Sequence, residues 1–139
     1  MNTRELNVKQ IRPQITSALI SDDMTSDERF QNLVLRPICK LQVPIFVEVF
    51  KNYAQKHKSV FYGLVIEKRI DYIENALQKD MKLRNSLKGM VIGLFTTEEY
   101  LIYIKNSSSL NKRMMSIVKD QLLGNIQLLE KLELLVAAV

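Results

Sequence analysis

Between residues 26 and 57 apolar side chains recur at the three- and four-residue intervals of a helix, yet two prolines, Pro37 and Pro44, fall inside the run. A proline in a helix interior loses one backbone hydrogen bond and presses its ring on the preceding turn, at a cost of about 3 kcal/mol. Each must therefore be compensated. At about 100° per residue, Phe30, Leu33, Val34, Pro37, Ile38 and Leu41 share one sector. Beyond Pro44, Phe46, Val49, Phe50 and Tyr53 share another, rotated from the first by roughly 120°. An unbroken helix would have to bury nearly its whole circumference there. A kink or short break at Gln42-Val43 lets each half face one core, and a residue before proline resists helical torsions. Pro37 is expected as a packed side chain with a mild bend.

The rest of the pattern is helical too. Four glycines and three prolines are few for strands joined by tight turns. Thr25-Ser-Asp-Glu28 and Thr96-Thr-Glu-Glu99 each set a carboxylate three residues after a hydroxyl, the reciprocal cap of a helix start. The first opens a helix near Ser26 that runs to the cations of Lys56-His57-Lys58. The second opens a short helix holding Tyr100, Tyr103 and Ile104, which stops at the Asn-Ser-Ser-Ser of 106–109. Between them, Leu64, Ile70, Ile73 and Leu77 form one stripe. It gives way near Asp80 to another with Leu83, Leu87, Met90, Val91 and Leu94. Ser109 is a candidate cap for a helix with Leu110, Met114, Ile117, Val118 and Leu122 on one side. Beyond Gly124-Asn125, Leu129, Leu132 and Val136 are spaced as a last helix. Residues 1–24 read as an arm with one short helix at most, around Val8 to Leu19 and interrupted near Pro13. The fold class is all-α: one domain, residues 25–139, as a bundle of five or six helices with a proline-kinked long helix near 26–57.

Composition sets outer bounds. A chain of 139 residues suits one domain, and 47% hydrophobic with 25% charged residues is globular and not disordered. Cys39 is the only cysteine and the first ten residues lack the apolar core of a secretory signal, so a cytoplasmic location is expected. No apolar run approaches the roughly 20 residues of a membrane-spanning helix, and no membrane insertion is expected.

Chemistry finds little to work with. The only histidine, His57, would lie about 27 Å from Cys39 along one straight helix, too far for a thiolate–imidazole pair. One histidine and one cysteine leave a tetrahedral zinc site two ligands short. No phosphate-cradling Gly-rich loop is present. The acidic pairs Asp22-Asp23, Asp27-Glu28, Asp71 with Glu74, Glu98-Glu99, and Glu130 with Glu133 lie at helix starts or on solvent sides. None falls in an apolar stripe that would raise its pKa for acid–base work. No catalytic, cofactor-binding or metal-ligating residue is assigned, no cofactor is expected, and an enzyme of unknown type ranks only third among the functional readings.

Two interaction surfaces remain. Gly89 and Gly93, four apart at the edge of the Leu83–Leu94 stripe, would admit close approach by another helix, and Leu129, Leu132 and Val136 make an unusually apolar chain end. Both suit helix packing or a homodimer. The expected function is that of a protein-interaction module whose partner is itself or another protein. The alternative is nucleic-acid binding through a basic surface of Lys79, Lys82, Arg84, Lys88, Lys112 and Lys119, favoured by a net charge of +5.

Phe30-Gln-Asn-Leu-Val-Leu-Arg-Pro-Ile38, Gln78-Lys-Asp-Met-Lys-Leu-Arg-Asn85 and Gly89-Met-Val-Ile-Gly-Leu-Phe-Thr-Thr-Glu-Glu-Tyr100 together resemble a family of small, uncharacterised, all-helical bacterial proteins. The likeness covers roughly residues 26–125 and implies the helical fold. Some members carry the label "glyoxalase", but that superfamily uses paired βαβββ modules and a metal held by His and Glu. His57 stands alone here and the strand pattern is missing, so no catalytic residue carries over.

Overall fold

The computed structural model describes residues 2–15 and 20–130. Its helices are α1 (Thr3–Gln10), α2 (Ser26–Phe30), α3 (Arg36–Leu41), α4 (Val43–Lys56), α5 (Ile66–Lys79), α6 (Met81–Ile92), α7 (Thr97–Tyr103) and α8 (Ser107–Gly124). A π turn, Gln31–Leu35, joins α2 to α3, and 3-10 turns occupy Val60–Gly63, Ile104–Asn106 and Ile126–Leu129. No strand occurs among the described residues. With α2, the π turn and α3 taken as one rod, six rods follow α1. This is the all-α bundle expected from the sequence.

Caps begin several of these helices. The hydroxyl of Thr25 accepts from the Glu28 amide at 3.1 Å, and Asp80, whose backbone turns extended, accepts from the Leu83 amide at 3.0 Å. Asp80 thereby separates α5 from α6. Asn2 accepts from the Glu5 amide at 2.9 Å, so the arm's helix starts at Thr3 and ends before Pro13. The helix starts ahead of the expected Val8 because Asn2-x-x-Glu5 is itself a start signal, and residues 16–19 of the expected span lie outside the described residues. Ser109 is not a cap either. α8 starts at Ser107, and the Ser109 hydroxyl and Asn106 amide both donate to the carboxylate of Asp27, at 2.7 and 2.8 Å. The start of α8 is stitched to α2 in place of being capped. Arg84 donates to the Leu77 carbonyl at 2.8 Å.

The proline rod breaks where the stripes diverge. Gln42 leaves helical torsions (φ −90°, ψ 1°), and Pro44 sits in the first turn of α4, where an amide donor would have no intrahelical acceptor. Phe46 and Phe50 then face the core. Pro37 is handled differently. The Arg36 amide reaches back five residues to the Gln31 carbonyl, a π turn that widens the helix just before the proline ring. The wide turn also shifts the register. Leu33, expected in the core stripe, is half exposed, while Leu35 and Cys39 are wholly buried.

Helix α8 runs through the middle, packed on the π turn, α3, α4, α5 and α6. It contributes Leu110, Met114, Met115, Ile117, Val118 and Leu122 to the core. At one end Phe50, Phe61 and Tyr72 meet edge to face, with Phe50–Phe61 and Phe61–Tyr72 centroids 5.4 and 5.5 Å apart. Each fully buried phenylalanine contributes about 1.5–3 kcal/mol. Among the described residues no helix is long and apolar enough to cross a membrane.

Candidate binding surface around α7

A reciprocal cap starts α7: the Thr96 hydroxyl accepts from the Glu99 amide at 3.1 Å, and the Glu99 carboxylate accepts from the Thr96 amide at 2.8 Å. Glu99 does more. Both of its oxygens accept from Arg12, at 2.7 and 2.6 Å, and Arg12 also donates to the Leu94 carbonyl at 2.8 Å. Burial works to raise the Glu99 pKa, but the Arg12 guanidinium and the Thr96 amide outweigh it and hold the carboxyl below its ordinary value. Glu99 thus lies at a helix start, as expected, and is buried there as well, as is Glu5 of α1. The pairing partner lies 87 residues away, and no local pattern could have announced it.

The other arm contacts land on the same corner. Arg4 donates to the Gly93 carbonyl at 2.9 Å, and Glu5 accepts from the Thr97 amide at 2.9 Å. Val8 is the buried apolar residue of α1, so polar bonds make most of the attachment. The arm thus forms one wall of a groove of about 830 Å³. Phe30, Leu33 and Val34 lie along it, with Ile102 of α7 opposite Arg12 and Pro13. A smaller groove of about 410 Å³ flanks α7 on its other side, lined by Ile92, Phe95, Tyr100 and Leu101.

Between these grooves α7 is inverted. It buries Glu99 and Tyr103, while Tyr100, Leu101, Ile102 and the following Ile104 stand 45%, 58%, 47% and 49% exposed. The sequence signal for this was five consecutive apolar residues at 100–104, a helix apolar on every side and too short to be buried on every side.

The sequence-assigned contacts are scattered. Gly89 and Gly93 are exposed, and nothing lies within 4 Å of a Cβ built at Gly89, so among the described residues no helix of the protomer approaches it. Leu129 is wholly buried in the core, and Leu132 and Val136 lie outside the described residues. Of the basic set, Arg84, Lys112 and Lys119 line one shallow groove, and Lys79, Lys82 and Lys88 do not join them.

Cys39 is wholly buried and His57 exposed, its ring against Tyr53 with centroids 4.1 Å apart. Burial pushes the Cys39 thiol up to about 12, against a small opposing pull from Arg36. Among the described residues no three His, Cys, Asp or Glu side chains are placed to hold a metal ion. What the α7 corner offers chemically is apolar contact area on a frame fixed by an ion pair. No family model, curated protein or solved structure matches the chain.

Proposed function

We propose that the chain is a non-catalytic protein-interaction module that self-associates as a homodimer through α7. The observation that carries this is the inversion of α7, which spends its aliphatic residues on solvent and its glutamate on the interior. Contiguous apolar patches of that kind are rare on monomers and mark contact surfaces. A second copy suits the shape. An apolar ridge beside an apolar groove is self-complementary, so a two-fold axis sets each ridge against the Ile92/Phe95 groove of the other copy. Gly89 and Gly93 are exposed and present no side chain to obstruct a neighbouring backbone.

Sedimentation equilibrium of the full chain tests this directly. A dimer is expected that Leu101→Asp with Ile104→Asp converts to monomer with its helical circular dichroism intact. A wild-type chain that stays monomeric at high micromolar concentration, or a variant that still dimerises, refutes the proposal.

A further inference from the structure

The groove of about 830 Å³ lies on the flank of α7 away from the Ile92/Phe95 groove, and the two share Thr96 but no apolar residue. Contact between copies through the smaller groove therefore leaves the larger one unused. Three elements line it: the arm, α2 with the π turn, and α7. Phe30 and Val34 are buried and make its floor, while Leu33 and Ile102 stand 50% and 47% exposed at its sides. Leu33 is there because the π turn takes it out of the core. Pro13 and the flexible thioether of Met24 extend the apolar lining.

Charge borders this apolar bed. Lys9, Arg12 and Arg29 line the groove together with Glu98 and Glu99. Arg12 and Glu99 cancel in their two-point pair, and the other three take part in none of the ion pairs among the described residues. Lys9 is exposed. Arg29 is half-buried and donates to the Ser21 carbonyl at 3.1 Å, a neutral acceptor that orients the guanidinium and leaves its charge in place. Two cations against one exposed carboxylate, Glu98, favour a guest with a single negative charge and oppose a second.

Size separates a small guest from a partner helix. Sites for small organic ligands span about 300–1,000 Å³ and combine an apolar lining with a few polar groups that fix orientation. A helix about 10–12 Å across would seat about two turns or fewer in the same volume, short of the i, i+3, i+4, i+7 face by which a partner helix anchors. We propose that the groove binds the anion of a long-chain aliphatic carboxylic acid, its alkyl chain along Phe30, Leu33, Val34 and Ile102 and its carboxylate between Lys9 and Arg29. Burial of methylenes supplies the affinity, and the two cations select the charge.

Isothermal titration calorimetry of the full chain with dodecanoate, kept below its micellar concentration, should show saturable binding of one ligand per chain. Decanoate, two methylenes shorter, should bind about tenfold more weakly. Dodecyltrimethylammonium, with the same chain and the opposite charge, should bind at least about tenfold more weakly. Leu33→Asp should lower dodecanoate affinity at least about tenfold with helical circular dichroism intact, and Ile102→Asp, across the groove, should do the same. Lys9→Glu with Arg29→Glu should weaken it about tenfold, whereas Lys79→Glu with Lys82→Glu, a reversal of two charges away from the groove, should leave it within about twofold. Absence of saturable binding, equal affinity for the ammonium, equal loss in the two charge-reversed variants, or unchanged affinity in both Leu33→Asp and Ile102→Asp overturns the proposal. So does a change of oligomeric state in Leu33→Asp, which would assign the groove to a second copy of the chain.

Discussion

Glu99 joins two duties that are separable by substitution. As the third residue of α7 it caps the helix, a role glutamine also fills; as a carboxylate it neutralises Arg12, whose side chain is 9% exposed and whose Nε has no acceptor. Glu99→Gln should keep the cap and lose the charge. Breaking a buried pair costs about 3–5 kcal/mol when the remaining ion has nothing else. Arg12 retains the Leu94 carbonyl, so about 2–3 kcal/mol is expected in urea unfolding at neutral pH. The pH dependence has a definite sign. The Glu99 pKa is lower folded than unfolded, so its contribution is complete above the unfolded value of about 4.3 and disappears as pH falls through the folded value. Wild type and Glu99→Gln should therefore converge in stability in acid. A gap that persisted below both values would mean that the pair is not its source. Cys39 gives a second test of burial. With a thiol raised to about 12 and no exposure, it should resist a disulfide reagent in the native state and label only at the rate of unfolding, faster in urea.

Leu33 and Leu35 show what helical periodicity can and cannot disclose. The Thr25 and Thr96 starts and the break before Pro44 were legible, because capping chemistry and proline sterics act within three or four residues. The π turn was not. Nothing in Gln31–Leu35 marks it locally, and it follows from Pro37 together with the pull of a two-sided core. One wide turn exchanged Leu33 for Leu35 in the core. The same limit hid the binding surface: the apolar run at 100–104 was visible, but which of its faces would be covered depended on Arg12 and the arm. Leu35→Ala should cost about 2–5 kcal/mol and Leu33→Ala less than about 1 kcal/mol in denaturant unfolding. A regular α-helix through this segment requires the reverse order, so two melts decide between them.

The chain's net charge of +5 is unevenly spread: along α8 a strip of Arg36, Arg84, Lys112, Arg113 and Lys119 lines two shallow grooves whose acidic lining residues are Glu74 and Asp120, and its cations repel one another. A surface kept in that state costs stability, which proteins tolerate where the surface binds something. Lys112 sits where both α8 grooves meet and is exposed, so replacing it disturbs charge and not packing. Lys112→Glu removes repulsion and sets a carboxylate among arginines. The gain for exposed charges is about 0.5 kcal/mol, and in a chain of this size that raises the melting temperature by about 1–3 °C. Salt separates this from a packing effect. Screening relieves the wild-type strip, so added salt should stabilise wild type more than Lys112→Glu and narrow the difference as the Debye length falls below about 8 Å. The variant should thus be the sturdier protein. A Lys112→Glu chain destabilised at low salt would show that the strip is already balanced within the fold.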